Sequence, residues 1–153
     1  MLAAGAKVPE LSFTIPSGER ETLAKARANG SILFVFYKGS CPVCQMTFPF
    51  LQRLAAGNFP IIAVSQDSPA DTEQFRKRFG VTFPALLDRK EDGYPVSNAF
   101  GITNVPSLFL IEPGGTISMA GSGFSKADLE ALGERAGIRI FHPNENVPEW
   151  RAG

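Results

Sequence analysis

The chain has 153 residues, enough for one domain with a substantial hydrophobic core. Apolar residues make up 44% of it and phenylalanine contributes 13, which is typical of a globular protein and excludes a disordered one. With 15 basic and 15 acidic residues the net charge is zero, so we expect no nucleic acid and no acidic membrane as a partner. No apolar run approaches the roughly 18–20 residues of a transmembrane helix, so we expect no membrane insertion.

The first seven residues lack the charged start and the long apolar stretch of a signal peptide. As written, the sequence therefore predicts a cytoplasmic protein. If a leader has been removed, the protein would be periplasmic or otherwise extracytoplasmic. Two cysteines alone do not decide the compartment.

The predicted elements alternate between strands and helices. Ile32–Tyr37 is continuously apolar, as in a strand buried on both faces of a parallel sheet. From Pro42 to about Ala56 the periodicity is helical, and Pro49 inside this stretch should kink the helix. The other predicted strands are Leu11–Ile15, Ile61–Val64, Ala85–Leu87, Ser107–Ile111 and Thr116–Met119, and the other helices are Pro69–Phe79, Tyr94–Phe100 and Ser125–Ala136.

This order predicts an α/β protein with a mixed sheet between helices, part parallel and part hairpin. We expect one domain over residues 1–137. Residues 138–153 are predicted to form an irregular tail, which either packs on the domain or extends from it. The tail carries the only histidine, His142, and the only tryptophan, Trp150.

The two cysteines of the chain, Cys41 and Cys44, form a C-x-x-C motif between the apolar strand and the helix. Two sulfurs so close in sequence can bond with little backbone movement, and exposed N–H groups at a helix start favour a thiolate. We expect Cys41 to attack a disulfide and Cys44 to resolve the mixed disulfide. A zinc site would need two further ligands, so we expect no metal and no cofactor.

The segment Phe36–Cys44 resembles the active-site strand and loop of the thioredoxin superfamily. Pro49 stands five residues after Cys44, where thioredoxins carry the proline that kinks this helix. Val105-Pro106 is similar to the family's cis-proline, which faces the dithiol and contacts bound peptide. The spacing of 65 positions from Cys41 to Pro106 (106 − 41) is longer than in plain thioredoxin and is similar to the TlpA/ResA-like, AhpC/TSA-related redoxin branch.

This resemblance covers about Gly5–Gly137 and implies a thioredoxin fold with an N-terminal β extension and a central insertion. It implies a thiol–disulfide oxidoreductase that exchanges disulfides with protein substrates and draws on a redox partner protein. Substrate contacts would fall on Pro42, Val43, Val105 and Pro106. We expect a monomer.

Three positions depart from the family. Val35 replaces the buried aspartate of thioredoxins, Thr47 replaces a glutamate of ResA-like proteins, and Ser40 replaces the usual tryptophan. The sequence thus supplies no evident base for Cys44, which leaves water or a residue of the insertion, such as Glu73 or Glu91. Pro42 in the linking dipeptide is similar to glutaredoxins and DsbA, and it predicts a couple less reducing than about −270 mV.

Two other functions stay open. In a peroxiredoxin-like peroxidase, an antioxidant enzyme, the attacking cysteine would map to Cys44, but that family's threonine falls at Cys41 and its loop proline at Tyr37. A copper chaperone would use a C-x-x-x-C and a distant histidine, whereas this spacing is one residue shorter and His142 lies in the tail.

Overall fold

The computed structural model describes residues 1–14, 19–27 and 30–153. In these parts of the chain the strands and helices follow the predicted alternation. None of the helices described is long and apolar enough to cross a membrane. The elements are β1 (Ser12–Thr14), β2 (Arg20–Thr22), α1 (Leu23–Ala26), β3 (Ile32–Tyr37), α2 (Pro42–Leu54), β4 (Ile61–Ser65), α3 (Pro69–Phe79), β5 (Ala85–Leu87), a 3-10 helix (Lys90–Asp92), α4 (Pro95–Phe100), β6 (Ser107–Ile111), β7 (Ile117–Ser122), β8 (Phe124–Ser125), α5 (Lys126–Ala136) and β9 (Trp150–Arg151).

The central sheet has the strand order β5-β4-β3-β6-β7. β3, β4 and β5 are parallel to one another, β6 is antiparallel to β3, and β7 is antiparallel to β6, so the mixed sheet with a hairpin is confirmed. All six residues of β3 are buried because helices cover both faces of the sheet. The dithiol motif follows this central strand directly.

Side chains of β3 alternate between two hydrophobic cores, as the period of a strand requires. Leu33, Val35 and Tyr37 enter the core that also contains α2 and α5. Phe34 and Phe36 enter the core on the other face, formed with α1 and α4. The dithiol therefore packs against the first core, just after a strand that is buried on both faces.

The opening residues of the chain pair with the start of β7 and with the residues just before it. Gly5 N–H donates to the Ile117 carbonyl at 2.8 Å, and Ile117 N–H donates to the Ala6 carbonyl at 2.9 Å. Val8 N–H donates to the Gly115 carbonyl at 2.9 Å. The predicted N-terminal extension is therefore seen both here and in the β1–β2 pair.

The structure corrects several boundaries. β7 is Ile117–Ser122, longer than the predicted Thr116–Met119, because its later residues pair with β6. Ile15, the last residue of a predicted strand, lies outside the described residues. The tail is not wholly irregular, since β9 pairs with β8 and Ile140 is buried. Strands of two or three residues depend on a distant partner and leave little local signal.

Candidate active site

The dithiol lies where β3 ends and α2 begins. Cys41 is the N-cap residue of α2, and its Sγ accepts a hydrogen bond from the Cys44 N–H at 3.3 Å. Pro42 occupies the first helical position, where a missing N–H costs nothing. This local arrangement brings the two cysteines together and points a main-chain donor at the first sulfur, a geometry suited to negative charge there.

The two cysteines differ in exposure. Cys41 is half-buried, whereas Cys44 is fully buried, and both are free thiols. Burial raises the pKa of the Cys44 thiol well above its ordinary value, and the nearby Cys41 and the Asp67 carboxylate raise it further. Cys44 is therefore a neutral thiol near pH 7.

The second predicted site segment lies against the dithiol. The Val105-Pro106 peptide is cis, as the resemblance implied. The Cys41 thiol donates to the Val105 carbonyl oxygen at 3.5 Å, and Pro106 is buried beneath it. Pro42 is exposed and Val43 half-buried on the first turn of α2. The structure thus gathers these residues around Cys41, while their contacts with substrate stay a prediction.

An aromatic cluster lies in the same hydrophobic core as Cys44. The Tyr37 ring lies 4.5 Å from the Phe48 ring centroid and 5.0 Å from that of Phe75. Burial raises the pKa of Tyr37 to about 12, against an opposing hydrogen bond with Ser65. Tyr37 therefore stays neutral near pH 7 and shapes the apolar floor next to Cys44.

Sequence reasoning missed Asp67, which holds the loop before Cys41. Its Oδ2 accepts the Gly39 N–H at 2.8 Å, and Gln45 Nε2 donates to the Gly39 carbonyl at 2.7 Å. A signal existed, because Asp67 follows β4 as the dithiol follows β3. The carboxyl ends of parallel neighbours meet at one edge of a sheet, which places the residues after them side by side.

The positions that depart from the family carry no acid or base. Val35 is fully buried in the core. Thr47 is buried as well, and its hydroxyl donates to the Val43 carbonyl at 2.7 Å, one turn earlier in α2. The two carboxylates of the insertion proposed as bases are exposed and lie next to arginines, Glu73 at 3.7 Å from Arg76 and Glu91 at 3.2 Å from Arg89.

Two residues weighed for other functions have these surroundings. Cys44, the attacking cysteine of the peroxidase hypothesis, is buried with a raised pKa, and both properties disfavour attack on peroxide. His142 lies on the tail, with its Nδ1 3.7 Å from Glu145 Oε1. In the part of the chain that the structure describes, no three His, Cys, Asp or Glu side chains are grouped to hold a metal ion.

A half-exposed cysteine capping a helix, a buried cysteine one turn later and a facing cis-proline on a mixed sheet define a thioredoxin-fold dithiol protein. Solved structures agree on this fold. The thioredoxin domain of a thiol–disulfide oxidoreductase from Bacteroides vulgatus superposes with a TM-score of 0.76 at 22% identity, over 88% of this chain and 98% of that one. The peroxidoxin BcpB from Mycobacterium tuberculosis superposes with a TM-score of 0.70 at 17% identity, over 89% of this chain and 94% of that one.

The AhpC/TSA family model matches residues 4–120. The chain belongs to the AhpC/TSA family. Among its relatives, the thiol–disulfide oxidoreductase ResA of Geobacillus kaustophilus is 29% identical over 135 residues, which cover 84% of this chain and 75% of the relative. Together the family, the relatives and the paired cysteines place the chain with the thiol–disulfide oxidoreductases of the ResA type.

Proposed function

We propose that this chain exchanges disulfides with protein substrates through Cys41 and Cys44. The Cys41 thiolate attacks one sulfur of the partner's disulfide, and the partner's other sulfur leaves and takes up a proton. The Cys44 thiolate then attacks the Cys41 sulfur and releases the partner's second thiol. The partner gains two electrons and two protons, and the chain is left with a Cys41–Cys44 disulfide.

The observation that carries this proposal is the contact of the Cys41 sulfur with the Cys44 N–H. It fixes the attacking sulfur at the end of a helix, while the resolving thiol lies buried beneath. This difference in exposure supports the proposed order of the two attacks. Because Cys44 is neutral near pH 7, the first thiol can react without immediate competition from the second.

The structure supplies no buried carboxylate at Val35 or Thr47 to take the Cys44 proton. We propose that water or the departing partner thiolate accepts it. Resolution then becomes the slow step below the pKa of Cys44. Pro42 in the linking dipeptide supports a couple less reducing than thioredoxin at about −270 mV.

The equilibrium reduction potential of the Cys41/Cys44 pair, measured in glutathione and dithiothreitol buffers, tests the proposal. A value above about −200 mV identifies an oxidant or isomerase, and one below about −250 mV identifies a reductant that draws on a donor protein. If no intramolecular disulfide forms at any potential, the proposal fails.

A further inference from the structure

The residues after α5 return to the end of the sheet that carries the dithiol. Ile140 is buried, and the Phe141 ring lies 4.8 Å from that of Phe50 on α2. Arg53 donates to both carboxylate oxygens of Glu145, at 2.6 and 2.7 Å. This two-point contact fixes the middle of the tail on α2.

Beyond this anchor, residues 149–153, here called the tail segment, run along the edge of β8. Arg151 pairs with Phe124 and Trp150 with Ser125, both antiparallel. The Lys126 N–H donates to the Glu149 carbonyl at 3.0 Å. The tail segment is thus an added strand next to the loop that leads into α5.

Two glycines let the main chain of the tail segment lie directly on the domain. A Cβ at Gly123, whose φ is +74°, would overlap the Arg151 carbonyl oxygen. A Cβ at Gly153 would overlap the Val105 carbonyl oxygen. Close approach of two main chains at these points requires residues without side chains.

The surface under the tail segment is the surface beside Cys41. The Val105 carbonyl that Gly153 contacts is the same oxygen that accepts from the Cys41 thiol at 3.5 Å. The Gly123 N–H donates to the Pro106 carbonyl at 2.8 Å, so the two glycine contacts lie next to each other. The surface formed by Val105, Pro106 and Gly123 is called the platform below. A polypeptide that approaches Cys41 from this side meets the tail segment first.

We propose that the tail segment occupies the docking surface for an extended stretch of the substrate polypeptide, which must displace it to bring a disulfide to Cys41. This inference rests on the proposed function. The tail segment itself indicates which kind of polypeptide fits this surface. It is an extended main chain that adds to the edge of β8 and carries little side-chain volume at the two contact points. A folded, convex surface would not reach the platform.

The contacts of the tail segment with the domain are weaker than the contact of Arg53 with Glu145. The strand pairing of the tail segment spans two residues, and Trp150 is 58% exposed. The Lys126–Glu149 ion pair is long, at 3.9 Å, and the Glu149 side chain is 85% exposed. Residues 149–153 can therefore leave while Glu145 stays on Arg53.

Two single-residue variants of the 153-residue chain test the displacement. Gly153→Val forces a side chain against the Val105 carbonyl, and Arg151→Pro removes the N–H of a residue that pairs with Phe124. The matched control is Gly114→Ala, at a hairpin tip where a Cβ meets nothing within 4 Å. The probes are a short unstructured peptide carrying a thionitrobenzoate mixed disulfide and, as a small reagent, iodoacetamide.

Both variants should react about threefold to tenfold faster with the peptide disulfide than the parent, since each lost cross-strand pair lowers the barrier modestly. Alkylation of Cys41 by iodoacetamide should stay within about twofold, because the small reagent does not need the platform. A synthetic peptide of the sequence Val-Pro-Glu-Trp-Arg-Ala-Gly should slow the variants in trans. Unchanged peptide rates, or an equal rise with both reagents, would overturn the proposal.

If a variant fails to fold, the parent sequence provides a second test in the Cys44→Ser background. Hydrogen exchange at Trp150 and Arg151 is compared before and after a peptide is trapped on Cys41. Loss of protection in the adduct supports displacement, and unchanged protection refutes it. If the peptide never attaches to Cys41, the proposed function fails as well, whereas attachment without displacement leaves that function standing.

Discussion

The two ends of β3 hold ionisable groups in opposite ways. At the first end, the Glu112 carboxylate accepts hydrogen bonds from Ser31 at 2.6 Å, from Ser118 at 2.7 Å and from Arg135. Burial alone would raise the pKa of Glu112, but these donors outweigh it and lower the pKa to about 2. At the other end, burial raises the pKa values of Cys44 and Tyr37.

The two ends of β3 therefore favour different forms of their ionisable groups: the charged form of Glu112 and the neutral forms of Cys44 and Tyr37. Glu112 is ionised throughout the physiological range, and its charge contributes to the folded state. Burial keeps Cys44 neutral near pH 7. One end of β3 thus stabilises a charged group, whereas the other end disfavours one.

The largest effect is expected from a substitution of Cys44. Cys44→Ser should lower turnover with a protein disulfide at least about hundredfold, because the mixed disulfide on Cys41 can no longer be resolved. Mass spectrometry should find the partner attached to Cys41. The control Cys41→Ser should form no adduct, and an adduct of equal yield there would reverse the assigned order of attack.

Alkaline pH should destabilise the reduced protein. The folded chain keeps the protons of Cys44 and Tyr37, whereas the unfolded chain releases them at about 8.5 and 10. Stability is therefore full below about pH 8.5 and falls above it, by up to tenfold in the unfolding constant per pH unit for each proton. The urea midpoint of the parent should fall as the pH rises. This fall should be smaller than in the parent from about pH 8.5 in Cys44→Ala, and only above about pH 10 in Tyr37→Phe.

Removing the charge of Glu112 should have a smaller effect on stability. Glu112→Gln is expected to lower the free energy of unfolding by about 1 kcal/mol at pH 7, since the pair with Arg135 is partly exposed. Because the pKa of Glu112 is lowered in the folded state, this contribution is present above about pH 4.3 and is lost as the pH falls through about 2. The exposed Glu130→Gln should change nothing, and an equal loss there would show a general charge effect.

The smallest effect concerns Asp67. Asp67→Asn keeps an oxygen acceptor for the Gly39 N–H but removes the charge that raises the pKa of Cys44. The resolution step should therefore become about twofold to threefold faster at fixed pH, as stopped-flow measurements of peptide release would detect. Asp67→Ala also loses the acceptor, so it should slow the reaction, and identical rates in both variants would exclude a role for the charge.

Much of the fold was predictable because its signals are local. The apolar run Ile32–Tyr37, the prolines of α2 and the glycine that ends α3 each mark an element within a few residues. Motif and spacing predicted that Cys41, Cys44 and Val105-Pro106 belong to one site, and the structure brings them together. Which of them contact substrate stays a prediction.

The rest was not predicted because it depends on distant contacts. Asp67 acts on a loop 28 positions away in sequence, and only the pairing of β3 with β4 brings them together. β9 is two exposed residues whose strand form comes entirely from β8. The tail segment and its two glycine contacts have no periodicity that a sequence could reveal.

The pairing of the opening residues with β7 has a further consequence. A sheet edge that displays free N–H and C=O groups invites a strand from another molecule, and such edges are common starting points for aggregation. Here Gly5, Ala6 and Val8 exchange main-chain hydrogen bonds with Gly115 and Ile117 along that edge. The opening residues therefore satisfy the main-chain groups of Gly115 and Ile117 within the molecule, so a strand of another molecule cannot add at the start of this edge.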